Sequence, residues 1–195
     1  AALTTRPNYA PALSNLAELW RQAPDLVRRK VRRLVIMGGK FQPADRPETN
    51  IATHPDAARL VAAEWPGEVF WLPFEVGHPV ITGAGLRDTP AANPVRRAYE
   101  LRRYQGRPSI NGGQPSYDQA AALFAVRGPD PRLWTLDAGG KVCIVDPEGT
   151  TRWTPGGGRH TLVQRAADTS ELAGLIEALM IHPPRGGRTA AAARG

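Results

Sequence analysis

The chain has 195 residues, enough for a domain with a sizeable core, and its 42% hydrophobic and 22% charged content is ordinary for a globular protein. No apolar run is long enough to cross a bilayer and no charged-then-apolar leader opens the sequence. The single cysteine, Cys143, excludes an internal disulfide, so a cytoplasmic location is expected.

"LSNLAELWRQAP" (13–24) has the period of a short amphipathic helix stopped near Pro24. The next segment carries "RRKVRR" (28–33), the densest part of a net charge of +7. The other arginines are scattered and no aromatic residues interleave, so the run suits the solvated end of a helix better than a nucleic-acid surface. "RLVIMGG" (33–39) is continuously apolar and ends in two glycines, as a strand buried on both faces does. A polar loop follows, then a helix with Pro55 near its first position, Asp56 in its first turn, and Ala57, Leu60, Val61 and Trp65 as its apolar stripe. "EVFWLPFEVG" (68–77) reads as the next strand, which completes a right-handed βαβ unit.

"PVRRAYELRR" (94–103) is a basic helix before a Gly/Pro-rich loop. "SYDQAAALFAVRG" opens with Ser116 and Gln119 in capping-box spacing, which puts Asp118 in a first helical turn. "KVCIVDPEGTTRW" reads as a small hairpin around Asp146-Pro147-Glu148-Gly149, with Cys143 in its core. "DTSELAGLIEALM" (168–180) is the last helix, capped by Asp168 and Glu171, with Leu172, Leu175, Ile176 and Leu179 facing inward. These elements describe one α/β domain over 1–181, with 182–195 as a disordered tail.

Three candidate sites lie at element ends, Gly38-Gly39, Glu48 with Asn50, and Asp118, and the acid-amide pair Glu48 and Asn50 would suit the hydroxyls of a sugar. Taken singly, each is more often a loop or capping residue. Their order and company resemble the inosine–uridine nucleoside hydrolase family. "VRRLVIMGG" is similar to that family's Val-x-Met-Gly-Gly strand, and "ETNIATHPDAA" to its Glu-Phe-Asn-(apolar)-x-x-Asp-Pro-x-Ala-Ala motif. "LSNLAEL" is similar to its Leu-Thr-Asn-Leu-Ala segment, and "SYDQAAALFAV" sits where the family has a His-Asp pair. "FEVGHPVITG", "NPVRRAYEL" and "GRPSINGGQPSYDQ" resemble a bacterial branch with Phe-Glu-(Val/Ile)-Gly and aromatic-Asp-Gln segments.

The resemblance implies an open, mostly parallel, Rossmann-like sheet with helices on both faces. It also implies hydrolysis of the N-glycosidic bond of a ribonucleoside by a calcium-bound water. By the same resemblance, Asp118 and the backbone carbonyl of Ser14 are calcium ligands, and Glu48 and Asn50 bind the ribose hydroxyls. Tyr117 stands at the position of the His proposed to protonate the leaving base. Tyrosine, with a pKa of about 10 against about 6.5, is the poorer donor, so stacking on a base or simple packing are the other readings of Tyr117. The family's opening Asp-x-Asp-x-x-x-Asp-Asp cluster has no counterpart in residues 1–195. The chain therefore reads as a fragment lacking the family's first strands, inactive alone and prone to self-association, or else as a degenerate, non-catalytic descendant that binds a ligand without metal chemistry. Glu75 is expected to make a loop hydrogen bond, and His54, His78, His160 and His182 lack metal spacing and read as structural. "GGG" (156–158) lacks the Lys-Ser/Thr of a phosphate loop and reads as a plain loop.

Overall fold

The computed structural model describes residues 2–4 and 13–182. Strand β1 (Ala2–Thr4) comes first, and α1 (Ser14–Gln22) packs through Leu16, Ala17 and Trp20. Pro24 stops α1 and also opens α2 (Pro24–Lys30), because a first helical residue needs no N–H donor. Arg28, Arg29 and Lys30 fill the last turn of α2, the place where cations suit the helix dipole. In β2 (Arg33–Met37), Leu34, Val35 and Ile36 are all fully buried, so neither face of the strand meets water.

Next come the short helix α3 (Thr49–Ala52) and α4 (Pro55–Glu64), whose Ala58, Val61 and Ala62 face the core beside Trp65. Strand β3 (Glu68–Leu72) is shorter than the sequence suggests. Pro73 brings no N–H to the ladder, and Phe74–Gly77 coils into a helical turn, α5. Strand β4 (Ile81–Thr82), α6 (Pro94–Leu101), β5 (Arg103–Tyr104), β6 (Arg107–Pro108) and β7 (Gln114–Pro115) lead to α7 (Tyr117–Arg127). Ser116 occupies the N-cap of α7 without a capping hydrogen bond from its side chain, so the expected capping box does not form.

The last strands are β8 (Trp134–Ile144), β9 (Thr151–Thr154) and β10 (His160–Arg165), before α8 (Ser170–Ile181). The sheet runs β1-β2-β3-β10-β8-β9. The first four of these are parallel, while β8 is antiparallel to β10 and to β9. The β8–β9 hairpin turns where expected, with Asp146 Oδ1 accepting from the N–H groups of Gly149 (2.9 Å) and Thr150 (2.8 Å). It joins the main sheet through β10, a strand whose polar first residues gave no clear apolar run.

Helices cover both faces. On one, α1, α2, α3 and α4 pack on Leu34, Ile36, Val69 and Trp71. The alternate residue Phe70 faces the other way, its ring 5.3 Å from that of Phe124 in α7. Two expected core positions lie outside this packing. Cys143 is exposed because its strand neighbours Val142 and Ile144 take the inward face, and Leu179 is 49% exposed in the last turn of α8. The described residues fall into two compact units, one reaching to Ile81 and resuming over Pro115–Ala173, the other covering Thr82–Gln114 and the residues from Gly174 on. In the second unit Leu86, Tyr99 and Ile110 form a small core, and Glu177 accepts from the N–H groups of Gly83 and Gly85. The tail read as disordered, from residue 183 on, lies outside the described residues.

Candidate active site

The site is built where β2 and β3 end. Gly38 N–H still belongs to the sheet, donating to Leu72 O at 3.2 Å. Gly39 then turns at φ +86°, a conformation glycine adopts without strain, and its N–H donates to Glu48 Oε2 at 3.2 Å. The loop beyond is held from two further directions. Glu75 Oε1 accepts from the N–H groups of Phe41 (2.9 Å) and Gln42 (3.1 Å), the loop hydrogen bond expected of it. Thr151 Oγ accepts from Lys40 N and donates to Lys40 O, both at 3.0 Å.

Glu48 is the N-cap of α3, its Oε1 accepting from Asn50 N–H at 2.9 Å. Asn50 thus sits inside a helical turn rather than just ahead of a helix. Its Nδ2 donates to Met37 O at 3.2 Å, which anchors the side chain to the last residue of β2. Asp118 lies in the first turn of α7, as expected, and its Oδ1 is buried with no hydrogen-bond partner among the described residues.

Burial pushes the Asp118 carboxyl up to about 6, where an ordinary aspartate is near 4. Burial also raises the pKa of Glu48 above its usual value against the pull of its backbone donors, and the nearby charge of Asp118 raises it further. Glu75 is raised by burial as well. Glu48 and Asp118 are therefore neighbouring carboxyls whose charged forms are disfavoured, and a cation or a hydroxyl donor restores what burial removed. Beside Glu75 a hollow of about 210 Å³ is lined by Phe41, Gln42, Pro73, Val76 and Leu162–Arg165. Glu48, Asn50 and Asp118 are not among its lining residues.

Tyr117 is half-buried, its OH 2.8 Å from His78 Nδ1. The His78 ring stacks on Phe74 with centroids 4.6 Å apart, and Phe74 lies 5.4 Å from Tyr117. Through these contacts His78, read as one of four structural histidines, packs against Tyr117 and Phe74. His160 does fit that reading: its Nδ1 accepts from Val142 N–H at 2.9 Å, the ring bonds the Ala62 backbone, and burial lowers its pKa to about 4. Ser14 opens α1 on the opposite face of the sheet from α7.

Comparison with known proteins decides the family. The model of inosine-uridine preferring nucleoside hydrolases matches residues 10–172. The chain belongs to this family. No curated protein matches the sequence. Among solved structures, the plant nucleoside hydrolase PpNRh1 superposes with a TM-score of 0.58 at 22% identity, over 88% of this chain and 60% of that one. The inosine-uridine preferring nucleoside hydrolase of Bacillus anthracis gives 0.56 at 21%, over 92% and 59%. The effector protein XOO4466 gives 0.55 at 16%, over 92% and 58%. The chain thus spans about three-fifths of the length of these three structures, whose likeness lies in the fold.

Members of this family are generally metal-dependent. The orphaned Oδ1 of Asp118 suits one ligand of a hard cation. Among the described residues, however, no three His, Cys, Asp or Glu side chains converge to hold a metal. Calcium takes about six to eight oxygens, so these residues fit a single calcium ligand and not the ion's full shell. Among the described residues no helix is long and apolar enough to cross a membrane.

Proposed function

We propose that this chain carries the ribose-binding part of a nucleoside N-ribohydrolase site, acting on ribonucleosides in the cytoplasm. The observation supporting this most strongly is the pair Glu48 and Asp118, two carboxyls that burial pushes up, with the charge of Asp118 raising the cost of ionising Glu48 further. In this reading Glu48 receives a ribose hydroxyl. Its Oε2 accepts from Gly39 N–H and its Oε1 from Asn50 N–H, Ile51 N–H also bonds the carboxylate, and lone-pair room remains for a further donor. Asn50, with Nδ2 committed to Met37, offers Oδ1 to a further hydroxyl. Hydroxyl contacts and negative charge near the anomeric carbon favour the oxocarbenium-like state through which an N-glycosidic bond breaks. Tyr117 stands on the leaving-base side, backed by His78 and Phe74. Asp118 is one carboxylate of a calcium site, with the Ser14 carbonyl as a further oxygen.

A second reading, a ligand-binding member without metal chemistry, is favoured by the absence of three converging metal-ligating side chains among the described residues. Calorimetry separates the two. A cationic iminosugar bearing the ribose hydroxyls should bind this protein, and Glu48→Gln should weaken binding about tenfold through loss of a charge-assisted contact. The hydrolase reading predicts tighter binding with calcium, and the second reading predicts no calcium effect. No binding of the iminosugar under either condition would rule out both.

A further inference from the structure

A second cavity lies elsewhere in the same unit, between the last turns of α4 and the edge where β8 meets the start of β10. It has a volume of about 640 Å³ and is lined by Arg59, Ala62 and Ala63 of α4, Lys141–Ile144 of β8, and Gly157–His160. β10 runs parallel to β3, and His160 pairs with Val69 near the start of β3, so this cavity opens at the rim opposite Glu48.

Its lining includes three cationic side chains, Arg59, Lys141 and Arg159, and no acidic one. Arg59 is held by Asp56 and by a bond to Asp146 O at 3.1 Å, and Arg159 by a bond to Pro66 O at 3.1 Å. Two of the three guanidinium and ammonium groups are therefore positioned before any ligand arrives, which lowers the cost of ordering them. Lys141 pairs with Thr154 through its backbone, and among the described residues its side chain makes no hydrogen bond or ion pair, which leaves its ammonium available. His160 adds no charge, since its Nδ1 already accepts from Val142 N–H and burial keeps it neutral near physiological pH.

The triple glycine has a role here. A Cβ on Gly158 would stand 2.0 Å from Gly140 O and 2.6 Å from Lys141 Cγ, so only glycine lets the backbone lie against the Lys141 stem. Gly157 turns at φ +69° and opens onto free space. The result is a basic recess against a close-lying glycine backbone, and its cationic groups supply the chemistry that receives a phosphoryl group. The volume lies within the range of small-molecule sites and exceeds what a bare phosphate fills, and Ala62 and Ala63 offer apolar wall for a carbon skeleton.

We propose that this cavity is a second binding site of the protein, for a phosphomonoester of sugar-phosphate size. It shares no residue with the proposed ribose site, so either can fail without the other.

Cys143, exposed and part of the lining, is the chain's single thiol and serves as the reporter. Its alkylation by N-ethylmaleimide, an uncharged reagent, is followed at constant ionic strength in the full 195-residue protein. Ribose 5-phosphate, inorganic phosphate and ribose are added separately. Ribose 5-phosphate at about ten times its Kd should slow alkylation by about tenfold. Ribose should have no effect, and inorganic phosphate a smaller one at equal concentration. Lys141→Ser should raise the protecting concentration about tenfold, and Arg159→Ser likewise. Lys141 lies on an exposed strand face without side-chain partners among the described residues, so its variant keeps the test open if loss of the Pro66 bond unfolds Arg159→Ser. Absence of protection, protection by ribose alone, equal protection by inorganic phosphate, or protection unchanged in Lys141→Ser would each overturn the proposal.

Discussion

Asp118 concentrates the energetics of the proposed site in one side chain. Its carboxyl is raised to about 6 by burial, so between about pH 4 and pH 6 the folded chain binds a proton that the unfolded chain has released. Stability from this group is therefore lost as pH rises through that window and stays lost above it. Asp118→Asn removes the ionisation and should stabilise the metal-free protein by roughly 1–3 kcal/mol at pH 8, with the gain vanishing near pH 4. Urea unfolding in a chelator at the two pH values measures this, and a variant no more stable at pH 8 would show that Asp118 ionises freely. The residues of this site were unequally readable in the sequence. Glu48, Asn50 and Asp118 stand in short motifs. Glu75 and His78 owe their places to partners 34 and 39 residues away, Phe41 and Tyr117, which no local pattern encodes.

Among the elements, the meeting of α5 and α7 carries the proposed leaving-base side of the site. The fit is close: a Cβ added to Gly77 would lie 2.5 Å from Tyr117 Cα, a backbone atom that cannot swing aside. Gly77→Ala should therefore destabilise the chain by about 1–3 kcal/mol through overpacking. It should also break the Tyr117–His78 contact, seen as a changed Tyr117 side-chain resonance. An alanine variant of unchanged stability would mean that α7 does not pack as described. The sequence places this glycine at the end of a strand, whereas it closes the turn α5 and is required by the helix that crosses it. The same limit applies to β10 and α5. Burial on both faces announced β2 through a continuous apolar run, whereas β10 begins with His160 and Thr161, which are buried by partners on other strands. Cys143 was misjudged for a related reason, since alternation along β8 hands the inward face to Val142 and Ile144.

For the whole molecule, a parallel sheet covered on both faces followed from the two strands β2 and β3 and the helix between them. That architecture places polar chemistry at the carboxyl ends of its strands, which is where Gly39, Glu48 and Glu75 lie. The arginine excess is spread through helix ends and loop contacts, with Arg28 over the Trp20 ring and Arg96 bonded to Thr89 O. The cationic recess at the opposite rim gathers residues from α4, β8 and the loop that leads into β10, so its parts are scattered in sequence.

The proposed site requires one ligand to engage the end of β2 and the start of α7 together. Amide chemical shifts of the isotope-labelled protein, titrated with the iminosugar and calcium, test this most directly. The account predicts perturbations centred on Gly38–Gly39, Glu48–Asn50 and Tyr117–Asp118. Saturation with those amides unmoved, or with changes confined to other parts of the chain, would contradict it.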